Sequence, residues 1–297
     1  MSFLFIGLMR FIAVLPLPVL RSLGRAIGWL LWHLARTRRR VALTNLTLCF
    51  SEKSQAEIEK IAYDHFVYFA QSLVDRAWLW HAPLSKVRSR LKWRGSQDAM
   101  DLLDTQLPKI VFAPHFVGLD AGGTAVTLRT DQTTAFIFMP QRNQILEDWV
   151  SQGRSRAGKV KPYFRHTGVK QIMTGLRQGE ILHLSPDMDF GPQESIFVPF
   201  MGFSTATVPS LSRFARLGKA AVFMLVTRLT HEGYEIEALP IWENFPTEDL
   251  IHDTTRMNEA LEAAIRLSPA QYYWVHKRFK TRPEGETSVY KKAEISR

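Results

Sequence analysis

Cysteine is nearly absent: Cys49 is the only one in 297 residues. That excludes an internal disulfide framework and a cysteine-rich zinc site, and it leaves Cys49 as a small buried thiol rather than a nucleophile. Negative charge is in the minority, with 28 acidic residues against 38 lysines and arginines, a formal net charge of +10. Nor is there an uninterrupted apolar run of about 20 residues, the length a clean spanning helix needs. Arg10 interrupts the first apolar stretch, and Pro16 and Pro18 break it again. A small-residue cleavage site followed by a polar start, the mark of a cleaved signal peptide, is not there either. The stretches GRSRA and GFSTA lack the last glycine of a G-x-S-x-G nucleophile elbow. GLDAGG is not G-x-G-x-x-G, there is no Walker A loop, and none of the 9 histidines has H-E-x-x-H or other metal-ligand spacing.

What is present starts with composition. Hydrophobic residues make up 46% and charged residues 22%, which is globular, and the length suits one large α/β domain. A basic chain suits anionic membranes, acidic proteins or phosphorylated molecules. Nucleic acid is disfavoured, because the basic residues lack an RNP-like or helix-turn-helix frame. Residues 3–15 and 26–35 read as two short apolar helices with Trp29 and Trp32 as interfacial side chains, followed by Arg36, Arg38, Arg39 and Arg40. Residues 1–40 are therefore expected to be a membrane anchor on the cytoplasmic face, either spanning or lying in the interface.

Residues 41–85 have helical periodicity, with Ser54 and Glu57 in a capping-box pattern and an apolar stripe that reads as core. From residue 109 short apolar runs alternate with helical segments. Strands are expected at IVFAP, TTAFIFM, KVKPYF, ILHLSPD, SIFVPF, AAVFMLVTRL and YEIEALP. Helices are expected near 120–128, 143–156, 169–178, 207–217 and 247–266, and again from about 269. This alternation predicts an α/β fold, a mixed central sheet flanked by helices, over residues 41–285, with a polar tail at 286–297.

The stretch KIVFAPHFVGLDAGG places His115 just after an apolar strand and Asp120 five positions on. With 9 histidines and 28 acidic residues in the chain, chance alone supplies about one His-x4-Asp/Glu pair, and one is present. The spacing by itself therefore says nothing. Its place says more, because open α/β sheets bind ligands outside the carboxyl ends of their strands. On one continuous helix the two side chains would point about 140° apart. A bend at Gly118 would let Asp120 accept the Nδ1 proton of His115 and leave Nε2 free as a base. The alternative is that Asp120 is only a favourable carboxylate in a first helical turn. With no serine or cysteine nucleophile in a recognisable setting, a histidine base acting on the substrate's own hydroxyl fits acyl transfer without a covalent enzyme intermediate.

Several long motifs in one order, APHFVGLD (113–120), DWVSQGRSR (148–156), LSPDMDFGPQESIFVPFMG (184–202) and SPAQYYWVHKRFKTRPEG (268–285), together with RRRVALTNLTLCF, resemble the lipid A late (secondary) acyltransferases of Gram-negative bacteria. The likeness covers essentially the whole chain. It implies a glycerolipid acyltransferase-like fold and transfer of a fatty acyl chain from acyl carrier protein to a lipid A precursor at the inner membrane, with no metal or nucleotide. It also implies that His115 and Asp120 are the catalytic dyad and that Arg154 is the functional arginine of the W…GR segment. Asp187 matches the aspartate of the PD motif, for which capping a loop is a rival role. Arg156 is a weaker candidate for substrate binding. Relatives often carry YRP before the W…GR segment; here the residues are Phe138-Met139-Pro140, with Arg142 two positions on as the possible substitute. The rival readings are an acyltransferase acting on a lysophospholipid or an amino-acid lipid, and a non-enzymatic basic membrane-binding protein. Pro114, where the glycerol-phosphate class commonly has Asn, counts against the lysophospholipid branch.

Overall fold

A computed structural model describes residues 2–138, 140–141, 143–164 and 168–290. The chain begins with four helices, α1 (Ser2–Ile12), α2 (Leu17–Leu34), α3 (Arg36–Cys49) and α4 (Gln55–His81). A short helix α5 (Leu84–Ser89), strand β1 (Leu91–Gly95) and helix α6 (Gln97–Leu103) lead into β2 (Lys109–Phe112). Then come α7 (Leu119–Arg129), β3 (Thr134–Phe138), α8 (Gln144–Ser155), β4 (Val160–Phe164), α9 (Val169–Arg177) and β5 (Ile181–Leu184). The remainder is β6 (Ile196–Phe200), β7 (Phe203–Thr207), α10 (Ser210–Gly218), β8 (Ala221–Leu229), β9 (Tyr234–Ala238) and α11 (Leu250–Leu267).

Seven strands form one mixed sheet in the order β1-β9-β8-β2-β5-β3-β4; β6 and β7 form a separate antiparallel pair. Every contact in the large sheet is parallel except β8–β9. The short apolar runs explain this arrangement. Strands buried on both faces of a parallel sheet need apolar residues in succession rather than in alternation, and β2 and β5 are buried at every position. Ile110 and Phe112 face one core and Val111 the other, so β2 is the middle layer of three.

Of the N-terminal expectations, the capping box at Ser54 and Glu57 is present, with Ser54 Oγ accepting from the Glu57 amide and the Glu57 carboxylate accepting from Ser54. The second apolar helix starts at Leu17, earlier than expected, because Pro18 falls in its first turn, where a missing N–H costs nothing. It lies on α4 so closely that a Cβ at Gly24 would stand 2.7 Å from the Gln71 Cα, and one at Gly28 would stand 2.6 Å from the Val67 Cα. Arg21 of α2 forms a buried ion pair with Asp75 of α4, whose carboxylate also accepts from Tyr234 Oη at 2.8 Å and Trp78 Nε1 at 2.9 Å. Trp32, expected at a membrane interface, packs instead on Tyr63 and Phe66. Among the described residues no helix is long and apolar enough to cross a membrane. α1 nevertheless leaves Phe3, Leu4 and Phe11 at least 70% exposed, as is Val14 in the turn after it.

The helix expected from residue 269 is one 3-10 turn, Pro269–Gln271, followed by a β-bridge at Tyr272 and a run of turns. Tertiary bonds hold that backbone. The Tyr273 amide donates to the His115 carbonyl at 2.9 Å, and the Val117 amide donates to the Gln271 carbonyl at 2.8 Å. Asn45 Nδ2 donates to the carbonyls of Trp274 and His276 at 2.7 and 2.8 Å.

Candidate active site

β2 and β5 are neighbours, parallel and in register, with Phe112 opposite Leu184. The Ala113 amide extends the ladder by donating to the Leu184 carbonyl at 2.9 Å. Residues equally far beyond the two strand ends are thereby brought together, and three positions on these are His115 and Asp187. The imidazole Nδ1 of His115 lies 2.8 Å from Asp187 Oδ1, and the His115 backbone amide donates to Oδ2 at 2.9 Å. A carboxylate accepts only, so Nδ1 carries the proton and Nε2 keeps its lone pair. Nε2 has no partner among the described residues and is not sealed off from solvent. Asp187 is fully buried. Burial opposes its charge, but the adjacent imidazole and the two bonds from His115 outweigh it and hold the carboxyl below its ordinary value.

Asp120 has other partners. Oδ2 accepts from Arg76 Nε at 2.8 Å, with Arg76 Nη2 at 2.7 Å, and Oδ1 accepts from Arg154 Nε at 3.0 Å and Nη2 at 2.9 Å. Burial again opposes charge, and the guanidinium groups of Arg154 and Arg76 overcome it, holding the carboxyl far below the usual range. The expected hydrogen bond between His115 and Asp120 is thus corrected to one between His115 and Asp187. Asp120, at the start of α7, is instead the centre of an arginine clamp joining α4, α7 and α8. The chain does turn before α7, with Gly118 as the N-cap, so His115 lies in the loop and Asp120 in the first helical turn; the φ of −83° at Gly118 nevertheless suits any residue. It is glycine because α7 lies against β8, where a Cβ would stand 2.6 Å from the Thr227 carbonyl oxygen.

Arg154 lines the same cavity as His115 and Asp120, with its guanidinium 5.9 Å from the Phe138 ring centroid. Arg156, expected with the substrate-binding residues, donates to the carbonyls of Leu79 and Ala82 at 3.1 and 2.7 Å. A helix end leaves its last carbonyls without partners, and Arg156 satisfies them at the end of α4. Arg142 lies outside the described residues.

The cavity measures about 510 Å³, within the roughly 300–1,000 Å³ of small-molecule pockets. His115, Asp120, Arg154 and His276 are polar members of its wall, while Phe136, Ile137, Phe164, Ile172, Leu184 and Phe214 make much of it apolar. His183, on β5, lies against Phe136 with ring centroids 4.8 Å apart and planes tilted by 46°. Burial, then the charge of Arg154, pushes its pKa down to about 3, and its buried Nε2 has no partner. Among the described residues no cluster of three or more His, Cys, Asp or Glu is placed to hold a metal ion.

A profile of the family described as bacterial lipid A biosynthesis acyltransferase matches residues 1–281. The chain belongs to that family. It is 33% identical over 282 residues to the lipid A biosynthesis palmitoleoyltransferase of Escherichia coli K12, covering 93% of this chain and 90% of the relative. It is 31% identical to the myristoyltransferase of the same strain, covering 94% and 85%, and 29% identical to the lauroyltransferase, covering 98% and 94%. The protein is therefore an acyltransferase of lipid A biosynthesis, and the apolar cavity behind His115 is its candidate acyl site. Sequence reasoning missed Arg76, which sits on α4 beside the apolar stripe read as core, and the partnership of Asp187 with His115. Only the strand register would have revealed the latter.

Proposed function

We propose that this acyltransferase moves a fatty acyl chain from an acyl carrier protein thioester to a hydroxyl of a lipid A precursor at the cytoplasmic face of the inner membrane. The observation that carries the reading is the His115 imidazole. Its Nδ1 is fixed by a buried carboxylate and its Nε2 is open to a largely apolar cavity. Nε2 takes the acceptor hydroxyl proton as the oxygen attacks the thioester carbon. The carbon–sulfur bond then breaks, and the proton passes from the imidazolium to the leaving thiolate. Asp187 stabilises the imidazolium in between. Asp120 holds Arg154 at the cavity wall, where a guanidinium binds a phosphate or a developing oxyanion in two-point fashion.

The +10 charge suits an acidic carrier protein and a phosphorylated acceptor, and the relatives' names cover three different acyl chains. The exposed side of α1, which also leaves Arg10 at the surface, suits docking in the plane of an anionic bilayer. The test is the mass of lipid A from cells lacking the gene, complemented with the wild-type chain or with His115→Ala. The wild type restores one acyl increment and His115→Ala does not. Full restoration by His115→Ala refutes the role of the base.

A further inference from the structure

Acyl transfer through His115 uses one imidazole, but a second lines the same cavity. His276, in the W-V-H-K stretch of the C-terminal segment, has its backbone amide 3.5 Å from the carbonyl of Tyr273, whose own amide donates to His115. The Asp189 amide donates to His276 Nε2 at 3.3 Å. An N–H in that position requires a lone pair on Nε2, so the proton of the neutral ring is on Nδ1. Nδ1 makes no hydrogen bond among the described residues and is not buried away from solvent.

The two rings are thus held as opposites by one short segment. The Asp187 carboxylate accepts from Nδ1 of His115 and leaves it a free acceptor; the Asp189 amide donates to Nε2 of His276 and leaves it a free donor. Acyl transfer requires both at one carbonyl: an acceptor for the hydroxyl proton, and a donor for the oxygen that becomes negative.

We propose that His276 is a further catalytic residue, its Nδ1–H donating to the thioester carbonyl oxygen as the acceptor hydroxyl adds. No proton leaves His276. The carbonyl oxygen becomes an oxyanion hydrogen-bonded to Nδ1–H, the carbonyl reforms as the carbon–sulfur bond breaks, and the thiolate takes its proton from His115. A neutral imidazole suits this role, because it donates without competing for the base's proton. Burial, followed by the charges of Lys280, Arg278 and His115, pushes the His276 pKa down to about 4.

This inference rests on the thioester chemistry proposed above. The experiment compares His276→Ala, His276→Asn and His276→Gln in the full chain, using lauroyl, myristoyl and palmitoleoyl acyl carrier protein and following thioester cleavage with and without lipid acceptor. Asn places an N–H where Nδ1 stands but loses the acceptor for Asp189. Gln keeps an acceptor near Nε2 but has no donor at the Nδ1 position. His276→Ala should lower kcat roughly 10²- to 10³-fold, the usual effect of losing one oxyanion donor, with little change in the KM for the carrier thioester. Activity should fall in the order wild type, Asn, then Gln and Ala together, whereas thermal stability should favour Gln over Asn. Activity that follows stability, with Gln above Asn, overturns the inference, as does His276→Ala within about threefold of wild type. Histidine ring ¹⁵N NMR of the full chain reads the proton position without any substrate: Nδ1–H supports the inference and Nε2–H overturns it. A wild-type chain that cleaves none of the carrier thioesters refutes the proposed function instead, and the NMR arm still decides the state of His276.

Discussion

Asp187→Asn is the substitution whose effect the structure defines most sharply. The change is nearly isosteric, and the site is fully buried, so no water enters to compensate. An amide accepts at one atom only. If its oxygen faces the His115 backbone amide, its NH₂ faces Nδ1 and draws the imidazole into the other tautomer, with the proton on Nε2 and no base left. The second loss comes when His115 takes the substrate proton and no anion stands beside the imidazolium. Nδ1 and Oδ1 are 2.8 Å apart, but each charge is spread over its group. Unit charges about 3 to 4 Å apart at an effective dielectric of about 20 attract by about 4 to 6 kcal/mol, which is about 10³ to 10⁴ in rate. Steady-state kinetics with carrier thioester and lipid acceptor should therefore show a fall of that size in kcat with KM nearly unchanged. Asp120→Asn is the control. It loosens Arg154 and Arg76 but leaves the His115 tautomer alone, so imidazole ¹⁵N shifts of His115 should move in Asp187→Asn and not in Asp120→Asn. Asp187→Asn within tenfold of wild type, with His115 shifts moved only by Asp120→Asn, would refute the assignment of Asp187 as the partner.

Gly153→Ala puts a Cβ 2.3 Å from the Trp80 ring, so α8 must lift and take Arg154 with it. Overpacking costs about 1–3 kcal/mol against a helix-propensity gain of up to about 1; a Tm lowered by a few degrees and reduced turnover are expected, and an unchanged Tm contradicts the close approach. His65 and His183 are buried with pKa values pushed by burial to about 4 and about 3, below the ordinary 6.5. Between pH 6.5 and 4 each of these rings lets the unfolded chain bind up to one more proton than the folded one, so stability falls as pH falls, by up to about 1.4 kcal/mol per unit for each ring. Urea midpoints at pH 7 and pH 5 measure this; equal midpoints contradict the neutral buried rings, and His183→Phe should make the slope measurably shallower. Phe3→Ser with Phe11→Ser removes two exposed rings from α1. If α1 docks in a bilayer, binding to anionic vesicles weakens by about 3 kcal/mol, roughly 100-fold, in a flotation assay; unchanged binding rules α1 out as the docking face.

The strands that position the site were legible because burial on both faces writes itself as short apolar runs, as in Ile110 to Phe112. The Ser54 capping box and the helix carrying Arg154 were legible for similarly local reasons. What escaped was non-local. Asp187 lies 72 residues from His115, and only the register of two parallel strands makes them neighbours. Arg76 sits on a helix whose periodicity reports its apolar face and says nothing of a charged side chain at its edge. The segment after Gln271 has helix-compatible residues, but its carbonyls are claimed by Asn45. β1 has little apolar signature because its burial is patchy. Gly118 is informative for what lies beside it, namely the Thr227 backbone.

The path from Ser185 to Asp189 has a consequence for which changes the protein tolerates. Two of its atoms, a side-chain oxygen and a main-chain nitrogen, decide where the protons rest on two rings from distant parts of the chain. Pro186 fixes one torsion of that path. A drift in sequence that leaves every histidine and aspartate in place, but lets this stretch relax by one peptide rotation, would erase the difference between the rings. Variation at Pro186 and Met188 is thus constrained by chemistry in which neither side chain takes part.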